Sequence, residues 1–505
     1  MALTIDEFAI FCKKKGFVFR SSDIYGGYSG FFDFGPLGVE LFNNIKQSWW
    51  KFFVQDRDDM VGMEASVISH PRTWKASGHL ESFKDLGLTC TKCKNQVRAD
   101  HYIEEKLKIN VEGKEKEDIQ KIIDDNKLGC PICGSAFEDL KSLNLLFETK
   151  VGAKADSSSV AYLRGETAQG MFMDFKLIAD SSRKKLPFGI AQVGRCFRNE
   201  IAPRDFLFRS REFHIAEFEF FIHPDEKKCI LLDKKHLNQS LRLLDKETQA
   251  SDNDMLKKTT IGKMVKEKRL GEWHAYWLAE QLMWYEKIGI DASKLKIREH
   301  TKDELSHYSS ATFDIDYEFP FGSKEIAGNA NRGQYDLNQH LKESGEKLEL
   351  FDEEKKEKII PRVIEPTFGV ERAFLAVIVN AYNDDKERGN IVLNIDPILA
   401  PIKLGVFPLM NKLDKEAREL YDDLRKCYTC IFDRSGSIGR RYARADEIGI
   451  PLCITFDFES KDDKKVTVRE RDTTKQIRVK IDELKDIVYN YLIGESFESL
   501  GRLVK

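Results

Sequence analysis

Arginines, phenylalanines and glutamates alternate along residues 187–221, PFGIAQVGRCFRNEIAPRDFLFRSREFHIAEFEFF. At the two-residue period of a β-strand, Cys196, Arg198 and Glu200 fall on one face of the first half. A proline and an aspartate then supply turn chemistry. In the second half, one face carries Arg209, Arg211, Phe213, Ile215, Glu217 and Glu219, and the opposite face carries Ala216, Phe218 and Phe220. The pattern predicts a long antiparallel hairpin with one chemically active face.

The groups on this face suit a ligand that is both anionic and cationic. Guanidinium groups bind phosphate oxygens in a forked geometry. An aromatic ring can stack on a base, and paired carboxylates can hold an ammonium group. ATP together with an amino acid fits this set of groups. The alternative is an exposed ladder of ion pairs on an edge hairpin, which would contribute little stability.

Two further segments place polar residues where a ligand could meet them. In RGETAQGMF, Arg164, Glu166 and Gln169 lie at the glycine-rich start of a predicted helix, where backbone amides are exposed. In SKEIAGNANRG, a polar cluster consists of Glu325, Asn329, Asn331 and Arg332. We expect both segments to border the same site as the hairpin.

The segment VIEPTFGVERAFLAVIVNAY predicts a strand, a tight turn and a buried helix. The strand carries Glu365, the turn contains Thr367 and Gly369, and Arg372 falls in the first helical turn. The helix dipole opposes an arginine at this position unless the arginine holds an anion. Arg372 is therefore a phosphate candidate, with a solvated first-turn arginine as the alternative.

Two CxxC pairs, CTKC and CPIC, have the spacing of a zinc ribbon. Four thiolates from Cys90, Cys93, Cys130 and Cys133 could bind one Zn²⁺ tetrahedrally, and the alternative is four free thiols. The charged residues between the pairs indicate an insertion over residues 90–145. With four protein ligands, the metal would be structural. A further pair, Cys427 and Cys430, has no partner pair nearby and indicates two ordinary thiols.

The 505 residues carry a formal net charge of -3, with 33% charged and 41% hydrophobic residues. This balance is typical of soluble globular proteins, and no global basic field indicates nucleic-acid binding. The first residues do not resemble a signal peptide, and no segment reaches membrane-spanning length. Ten cysteines without a secretory signal indicate reduced thiols or metal ligands. We expect a cytoplasmic protein with no membrane partner.

Helical spacing over residues 37–54 predicts a bulky aromatic helix containing Trp49, Trp50, Phe52 and Phe53. Such a helix lies either deep in a core or at a subunit interface, and the enrichment of aromatics at interfaces favours the second. A second helix, from Glu272 to Ile288, is predicted to be core, with its histidine packing rather than catalytic. The prolines after residue 396 mark a boundary before an α/β domain with a parallel or mixed sheet and several arginines.

Several of these segments resemble class II aminoacyl-tRNA synthetases. FRNEIAPRDFLFRSREF resembles motif 2, GVER resembles motif 3, and helix 37–54 with the strand that ends near Pro71 resembles the dimer-forming motif 1. Segments similar to the homodimeric glycyl-tRNA synthetases are SSDIYGGYSGFFDFGPLG, KASGH, RGETAQGMF, REFHIAEFEFF, ANRGQYDL and VIEPTFGVER. They follow in order over almost the whole chain.

The resemblance implies an α+β catalytic domain over residues 1–396, built on an antiparallel sheet flanked by helices. It further implies an α/β anticodon-binding domain over residues 397–505. The implied reaction activates glycine with ATP to glycyl-adenylate, releases pyrophosphate, and transfers the glycyl group to the 3′ end of tRNA(Gly). The implied partners are ATP with Mg²⁺, glycine, tRNA(Gly) and a second copy of the chain.

The resemblance also implies a role for individual residues. Arg198, Arg209 and Arg372 would be catalytic, holding the α-phosphate and the outer phosphates. The residues assigned to ATP are Arg198, Asn199, Glu200, Phe208, Arg209, Phe213, Glu325, Ile326, Gly369 and Arg372. The residues assigned to glycine are Arg98, Glu166, Phe213, Glu217, Glu365, Thr367 and Gly369. The family usually has serine at the position of Thr367, and threonine keeps the hydroxyl while adding a methyl group.

Two other functions use the same features. A non-catalytic synthetase-like RNA-binding protein would be expected to lose the phosphate-binding arginines, whereas all three are present here. Another adenylate-forming ligase would work without tRNA, and the C-terminal α/β domain argues against it. Glycine-dependent exchange of pyrophosphate into ATP separates both from the favoured function.

Overall fold

The computed structural model describes residues 4–109, 111, 114–152, 159–251, 255–353 and 355–504. The strands up to residue 393 are β1 (Val18–Arg20), β2 (Phe32–Phe34), β3 (Met60–Gly62), β4 (Ile68–Ser69), β5 (Lys84–Thr89), β6 (Gln96–Arg98), β7 (Lys141–Asn144), β8 (Phe147–Lys150), β9 (Val160–Leu163), β10 (Phe188–Phe197), β11 (Glu212–Ile222), β12 (Ser240–Leu244), β13 (Lys257–Thr260), β14 (Leu295–Glu299), β15 (Ala311–Phe319), β16 (Gly322–Gly333), β17 (Leu350–Asp352), β18 (Glu357–Ile359), β19 (Arg362–Gly369), β20 (Tyr382–Asp385) and β21 (Asn390–Leu393). The helices in the same part are α1 (Ile5–Lys15), α2 (Pro36–Trp50), α3 (Pro71–Ala76), α4 (His79–Ser82), α5 (Ala99–Leu107), α6 (Lys116–Asp125), α7 (Ala168–Met173), α8 (Phe175–Ser182), α9 (Lys234–Leu237), α10 (Lys246–Gln249), α11 (Ile261–Lys266), α12 (Glu272–Lys287), α13 (Tyr335–Ser344) and α14 (Val370–Ala381).

A nine-stranded sheet organises this part of the chain, in the order β13-β12-β14-β15-β16-β19-β11-β10-β3. Its pairs are antiparallel except β12–β14 and β10–β3. The predicted hairpin is confirmed as β10–β11, with Cys196 opposite Phe213. The second half of the prediction is wrong at its start, because β11 begins only at Glu212. Asp205 and Phe206 have φ near +58° and +54°, so the connection curls and Arg209 leaves the strand.

The apolar face of β11 packs on the predicted core helix. Phe218 and Phe220 lie in the main hydrophobic core, where their ring centroids are 4.6 and 4.7 Å from that of Trp277. Helix α12 is buried on nearly all sides. The Nε2 atom of its His274 lies 2.9 Å from the Asn329 carbonyl oxygen, which confirms the predicted packing role.

Helix α2 continues as a π-helical turn over Lys51–Gln55 and has two different faces. Trp49 and Phe53 are completely buried in the main core. The other face, with Asn43, Gln47 and Trp50, borders an open groove of about 870 Å³. The prediction that the helix lies in a core is therefore correct for the face with Trp49 and Phe53. The alternative, a subunit interface, applies to the face that borders the groove and stays a prediction.

The chain segment after α2 differs from the predicted single strand. It forms β3 at the edge of the large sheet and β4 in a separate sheet beside β9. Pro71 then occupies the first turn of α3, where its fixed φ and missing N–H are tolerated. At Gly333, whose φ is +60°, strand β16 ends, and the residues that follow form α13.

The cysteine-rich insertion has a small core of its own. Strands β5, β6 and β7 form a three-stranded sheet that begins at Lys84, before Cys90. Helices α5 and α6 cover it, and Leu88, Ile103 and Ile119 are among the buried residues between them. The charged segment after α13 forms a short hairpin, β17–β18.

The C-terminal elements are β22 (Leu404–Pro408), α15 (Asp414–Leu424), β23 (Cys430–Phe432), α16 (Ile438–Asp446), β24 (Leu452–Phe456), α17 (Ser460–Asp463), β25 (Lys465–Glu470), β26 (Gln476–Lys480), α18 (Leu484–Leu492) and β27 (Arg502–Leu503). Their sheet has the order β23-β22-β24-β25-β26-β27 and is parallel only around β22, so the predicted mixed α/β arrangement is confirmed. Three arginines of the C-terminal elements, Arg441, Arg469 and Arg471, are buried. They donate hydrogen bonds to backbone carbonyls or to the Asp446 carboxylate and so stabilise the fold. They do not belong to an RNA-binding surface.

Among the described residues, no helix combines the length and the apolar character that crossing a bilayer requires.

Candidate active site

The polar ends of β10, β11, β19 and α14 enclose a cavity of about 160 Å³. Its walls include nine residues predicted from the sequence, namely Arg198, Glu200, Phe208, Arg209, Phe213, Glu325, Thr367, Gly369 and Arg372. The three arginines that the sequence analysis treats as catalytic therefore share one cavity. They come from three separate segments, which only the sheet brings together.

Arg198 and Phe213 form the wall nearest to the hairpin. The Arg198 guanidinium lies over the Phe213 ring, with Cζ 5.3 Å from the ring centroid, and at the same distance from the Phe83 ring. Its Nε donates to the Gly165 carbonyl at 3.2 Å. Stacking and this one hydrogen bond fix the plane of the guanidinium and leave its terminal nitrogens available for an anion.

Arg209 lies in a region with more positive than negative charge. Its Nε is 3.9 Å from Glu200 Oε2, and its Nη1 is 3.5 Å from His101 Nδ1. Burial lowers the pKa of Arg209, and the nearby Arg98, Arg204 and Arg372 lower it further, against the opposing effect of Glu200. Such mutual repulsion among guanidinium groups is relieved when a polyanion binds between them.

Arg372 is held at the first turn of α14 by contacts to two neighbouring segments. Its Nη1 is 3.0 Å from Glu325 Oε1, and its Cζ lies 4.5 Å from the centroid of the Phe208 ring. Gly369 caps the helix, and a Cβ atom there would come within 3.0 Å of the Arg372 side chain. Glycine at this position lets the arginine side chain lie flat along the turn.

Glu371, next to Arg372, was not predicted as a functional residue. It is buried, and its two carboxylate oxygens lie 2.8 Å from the backbone N and the Nδ1 of His214. This contact ties α14 to β11 and fixes the separation of Arg372 from the hairpin. The sequence offered a hint, since a carboxylate in the first turn of a helix favours the dipole.

A second group of acidic side chains lies next to the cavity, on the other side of Thr367. Glu217 accepts hydrogen bonds from the Thr367 hydroxyl at 2.7 Å and from the Thr167 hydroxyl at 2.6 Å. Burial, followed by the charge of Glu166, raises the pKa of Glu217. The carboxyl group is buried yet well supplied with donors, so it can exchange a hydroxyl for a ligand amine.

Glu166 is the most strongly stabilised anion of this group. Its Oε2 lies 3.2 Å from His79 Nε2, and its Oε1 accepts a hydrogen bond from Gln169 at 2.8 Å. Burial by itself raises the pKa of Glu166. The charges of His79 and Arg332 and the Gln169 hydrogen bond outweigh it, so the pKa lies below its ordinary value. The carboxylate is therefore ionised at neutral pH.

Arg332 organises the remaining carboxylates from β16. It donates to both oxygens of Asp336 at 2.8 Å and also pairs with Glu365. Its guanidinium stacks on the Tyr308 ring, with Cζ 3.8 Å from the ring centroid. Burial raises the pKa of Glu365 to about 8, although Arg332 opposes the shift. Neither Arg332 nor Asp336 was assigned a role in the sequence analysis, although Arg332 was noted in a polar cluster.

Three predicted residues take other positions. Asn199 is exposed and lies outside the cavity lining, and Ile326 is buried in the main core, with only its backbone carbonyl bonded to Tyr285 at 3.2 Å. Arg98 comes from the insertion and pairs with Asp85 at 3.2 Å and Asp100 at 2.7 Å. Burial lowers the pKa of Arg98, but these two carboxylates raise it overall. Neither Asn199 nor Ile326 directs a side chain into the cavity.

The four predicted metal ligands converge in the insertion. Ligand atoms of Cys90, Cys93, Cys130 and Cys133 lie within 4.8 Å of one another. Two backbone amides, those of Cys93 and Ile132, point at the sulfurs of Cys90 and Cys130 at 3.4 Å. Amides directed at sulfur stabilise thiolates, so the donor set fits Zn²⁺. Among the described residues, Cys427 and Cys430 belong to no such cluster, and none of the ten cysteines forms a disulfide.

The sequence of this chain is similar to those of known proteins. Residues 403–491 match the family model described as an anticodon binding domain. The chain is 43% identical over 490 residues to the glycine–tRNA ligase of Caldanaerobacter subterraneus subsp. tengcongensis, covering 95% of this chain and 97% of that protein. It is 43% identical to the glycine–tRNA ligase of Geobacillus thermodenitrificans, covering 96% and 97%. The enzyme of the same name from Lachnoclostridium phytofermentans is 42% identical, with 96% and 98% covered.

Proposed function

The chain belongs to the glycine–tRNA ligase family, and from this premise we propose how its residues carry out the family's reaction. The enzyme activates glycine with ATP, releases pyrophosphate, and transfers the glycyl group to tRNA(Gly). The assignment of individual residues to these steps is our proposal. The observation that carries them is the convergence of Arg198, Arg209 and Arg372 on one cavity, which Thr367 links to Glu217.

ATP occupies the arginine-lined cavity in this proposal. The adenine stacks on Phe213, Glu200 lies at its edge, and Arg198 holds the α-phosphate. Arg209 and Arg372 neutralise the outer phosphates, which arrive with Mg²⁺ as part of the substrate. The support is the fixed, stacked plane of the Arg198 guanidinium and the unrelieved positive charge around Arg209. Glu325, which pairs with Arg372 at 3.0 Å, would be displaced or shared when phosphate binds.

Glycine occupies the acidic group beside that cavity. Glu166, Glu217 and Glu365 surround its ammonium group, with the Thr367 hydroxyl as a further contact. The support is that Glu166 is ionised and Glu217 holds two hydroxyl donors which a ligand amine can replace. A pocket filled by buried side chains rejects larger amino acids by collision, which discriminates more strongly than a missing methylene would.

The chemistry then needs little covalent help from the protein. The glycine carboxylate attacks the α-phosphorus, the bond to the β-phosphate oxygen breaks, and pyrophosphate leaves. Arg198 stabilises the charge that develops on the α-phosphoryl oxygens, and Arg209 and Arg372 stabilise the leaving group. The terminal ribose hydroxyl of tRNA next attacks the adenylate carbonyl, and AMP leaves.

We also propose a domain arrangement, a metal site, an oligomeric state and a compartment for this chain. The catalytic unit is of the class II type over residues 1–396, with the zinc-binding insertion at 90–145 and the anticodon-binding domain at 397–505. Zn²⁺ on the four cysteines would hold the insertion closed, and Arg98 from that insertion would reach the glycine carboxylate. The outer face of α2 pairs two copies into a homodimer. The cytoplasm is the proposed compartment.

A glycine-dependent exchange assay tests the substrate and the site together. Exchange of labelled pyrophosphate into ATP should require glycine and should be at least about tenfold weaker with alanine or serine. Charging of tRNA(Gly) is measured beside it. Exchange with none of these amino acids would contradict the proposed ATP and glycine sites. Exchange without tRNA charging would support the proposed ATP and glycine sites and contradict only the proposed binding of tRNA.

A further inference from the structure

Glu219 is a buried carboxyl group that neither proposed binding site uses. It lies two residues beyond Glu217 on the same face of β11 and is 0% exposed. Within the described part of the chain, neither of its carboxyl oxygens has a hydrogen-bond partner. Oxygens of Glu217, Glu219 and Glu365 lie within 4.8 Å of one another. Three carboxyl groups in so small and dry a volume cannot all be ionised.

The hydrogen-bond donors around the three carboxyl groups are unequally distributed. Glu217 accepts from two threonine hydroxyls, and Glu365 pairs with Arg332. The other nitrogens of Arg332 are directed at Asp336. Arg332, the guanidinium beside Glu219, therefore offers it no donor. An ionised carboxylate without a donor is the costliest form to bury, so Glu219 holds a proton more firmly than Glu217 and Glu365, which lose theirs as the pH rises.

The charges around Glu219 also favour its protonated form. The titratable and charged groups around Glu219 are Glu217 of β11, Glu365 of β19, Arg332 of β16 and Asp336 of α13, with His340 of α13 and Glu166 beyond them. Burial, followed by the charge of Glu365, raises the pKa of Glu219 well above its ordinary value. One guanidinium cannot neutralise this many carboxylates, so a proton remains in the group before glycine arrives.

We propose that Glu219 is a neutral carboxylic acid whose O–H donates into the Glu217–Glu365 pair and positions the two carboxylates that receive the glycine amine. The inference rests on the proposed function of Glu217 and Glu365. Glu219 is a positioning residue, since it acts through its neighbours rather than on the substrate. Its proton stays in place through the reaction. The neutral form leaves Glu217 and Glu365 to share one amine without a third negative charge.

Two substitutions at one position separate a neutral donor from an anion. Glu219→Gln keeps the shape and an N–H donor without charge, and Glu219→Leu keeps the volume without a donor. We expect Glu219→Leu to raise the glycine KM about five- to tenfold in pyrophosphate exchange, the loss of one hydrogen bond. Glu219→Gln should keep the glycine KM within about threefold of the wild type. The ATP KM should not change in either variant.

An infrared measurement reads the protonation state directly. The wild-type-minus-Glu219→Gln difference spectrum at neutral pH should contain the carbonyl band of a protonated carboxylic acid. Carboxylate bands in its place would overturn the proposal. An equal rise of the glycine KM in Glu219→Gln and Glu219→Leu would also overturn it, because that result requires a negative charge at this position. A wild-type glycine KM in Glu219→Leu would overturn it as well.

Failure of the inference can be told apart from failure of the proposed function through Glu217→Gln. If that variant leaves the glycine KM unchanged, the glycine site itself is misplaced. If it raises the KM while both Glu219 variants behave as wild type, only the role of Glu219 is rejected. Binding of an ATP analogue and a cooperative thermal transition show that each variant is folded. Should Glu219→Leu not fold, the Gln variant and the infrared spectrum still decide.

Discussion

Arg195 lies in β10 and Arg198 directly follows this strand, yet the two side chains have different surroundings. The Arg195 side chain is 54% exposed and pairs with Glu212 on the surface. Arg198 stacks between two phenylalanine rings and lines the cavity. At the scale of single residues, position relative to the pleat and to the rings decides which guanidinium can bind phosphate.

This contrast gives a matched pair of substitutions. Arg198→Ala should lower glycine-dependent pyrophosphate exchange at least about 100-fold, because one preorganised group that stabilises developing charge is lost. Arg195→Ala should keep near-wild-type exchange, since its ion pair is exposed. Circular dichroism and thermal unfolding serve as fold controls. Equal losses in the two variants would show that the α-phosphate site is elsewhere.

The buried carboxyl groups predict a pH dependence of glycine binding. Burial raises the pKa of Glu217 and raises that of Glu365 to about 8, so both lose their protons only as the pH rises. The ionised forms attract the glycine ammonium. The glycine KM should therefore fall between about pH 6.5 and 8.5, while the amine is still charged. An ATP KM that fell in parallel, or a glycine KM that rose, would contradict this assignment.

At the scale of elements, the insertion shows how a loop-like sequence becomes a rigid part of the site. Strands β5, β6 and β7 form the sheet of the insertion, and its four cysteines converge. Arg98 is the last residue of β6 and His101 lies in the first turn of α5, so both reach the region of Arg209 from this one unit. A closed zinc site would therefore affect catalysis indirectly, by holding these two residues in position.

Metal analysis tests this coupling. Purified wild-type protein should contain about one zinc per chain, and Cys90→Ser should lose most of it because a tetrahedral thiolate site is left with three ligands. We expect a lower thermal midpoint for the insertion and a raised glycine KM through Arg98. Cys427→Ser is the matched control and should keep the zinc. Stoichiometric zinc in Cys90→Ser would rule out the four-cysteine site.

At the scale of the whole molecule, a short junction with several hydrogen bonds joins the C-terminal unit to the preceding part of the chain. Asn44 of α2 donates to the carbonyls of Leu399 and Ala400 at 3.0 and 3.1 Å. Arg388 bonds the carbonyls of Arg471 and Asp472 at 2.7 and 2.6 Å. The C-terminal unit is thus held against α2 and the β20–β21 hairpin. In the proposed function, this orientation sets the distance that one tRNA spans between the anticodon-binding unit and the proposed ATP cavity.

The outer face of α2 provides the test of the proposed homodimer. Asn43 and Gln47 border the groove on this face, and an isologous contact would bring copies of them together. The double change Asn43→Glu with Gln47→Glu should weaken the dimer, because like charges would meet across the two-fold axis. Sedimentation at several concentrations measures the change. Phe351→Glu, on an exposed hairpin, is the control, and dissociation in both or in neither would place the interface elsewhere.

The sequence by itself determined the local elements and the identity of the groups. Alternation at period two located the β10–β11 hairpin, the segment VIEPTFGVERAFLAVIVNAY indicated β19 and α14, helical patterns indicated α2 and α12, and the CxxC pairs marked the insertion. It could not determine that Arg209 leaves the strand, that Asn199 faces solvent, or that Arg441 and Arg469 are buried structural residues. Those outcomes depend on backbone φ values and on side chains distant in sequence.

Only the tertiary structure decided which charges neutralise one another. Arg332 and Asp336 are close in the sequence, yet their importance comes from Glu365 and Glu166, which arrive from other elements. The order β16-β19-β11 brings Glu365, Glu217 and Glu219 close to Arg332, and among the described residues it leaves Glu219 without a donor. Burial then converts ordinary carboxyl groups into groups of different pKa, because the cost of charge depends on the donors and solvent within a few ångströms rather than on sequence.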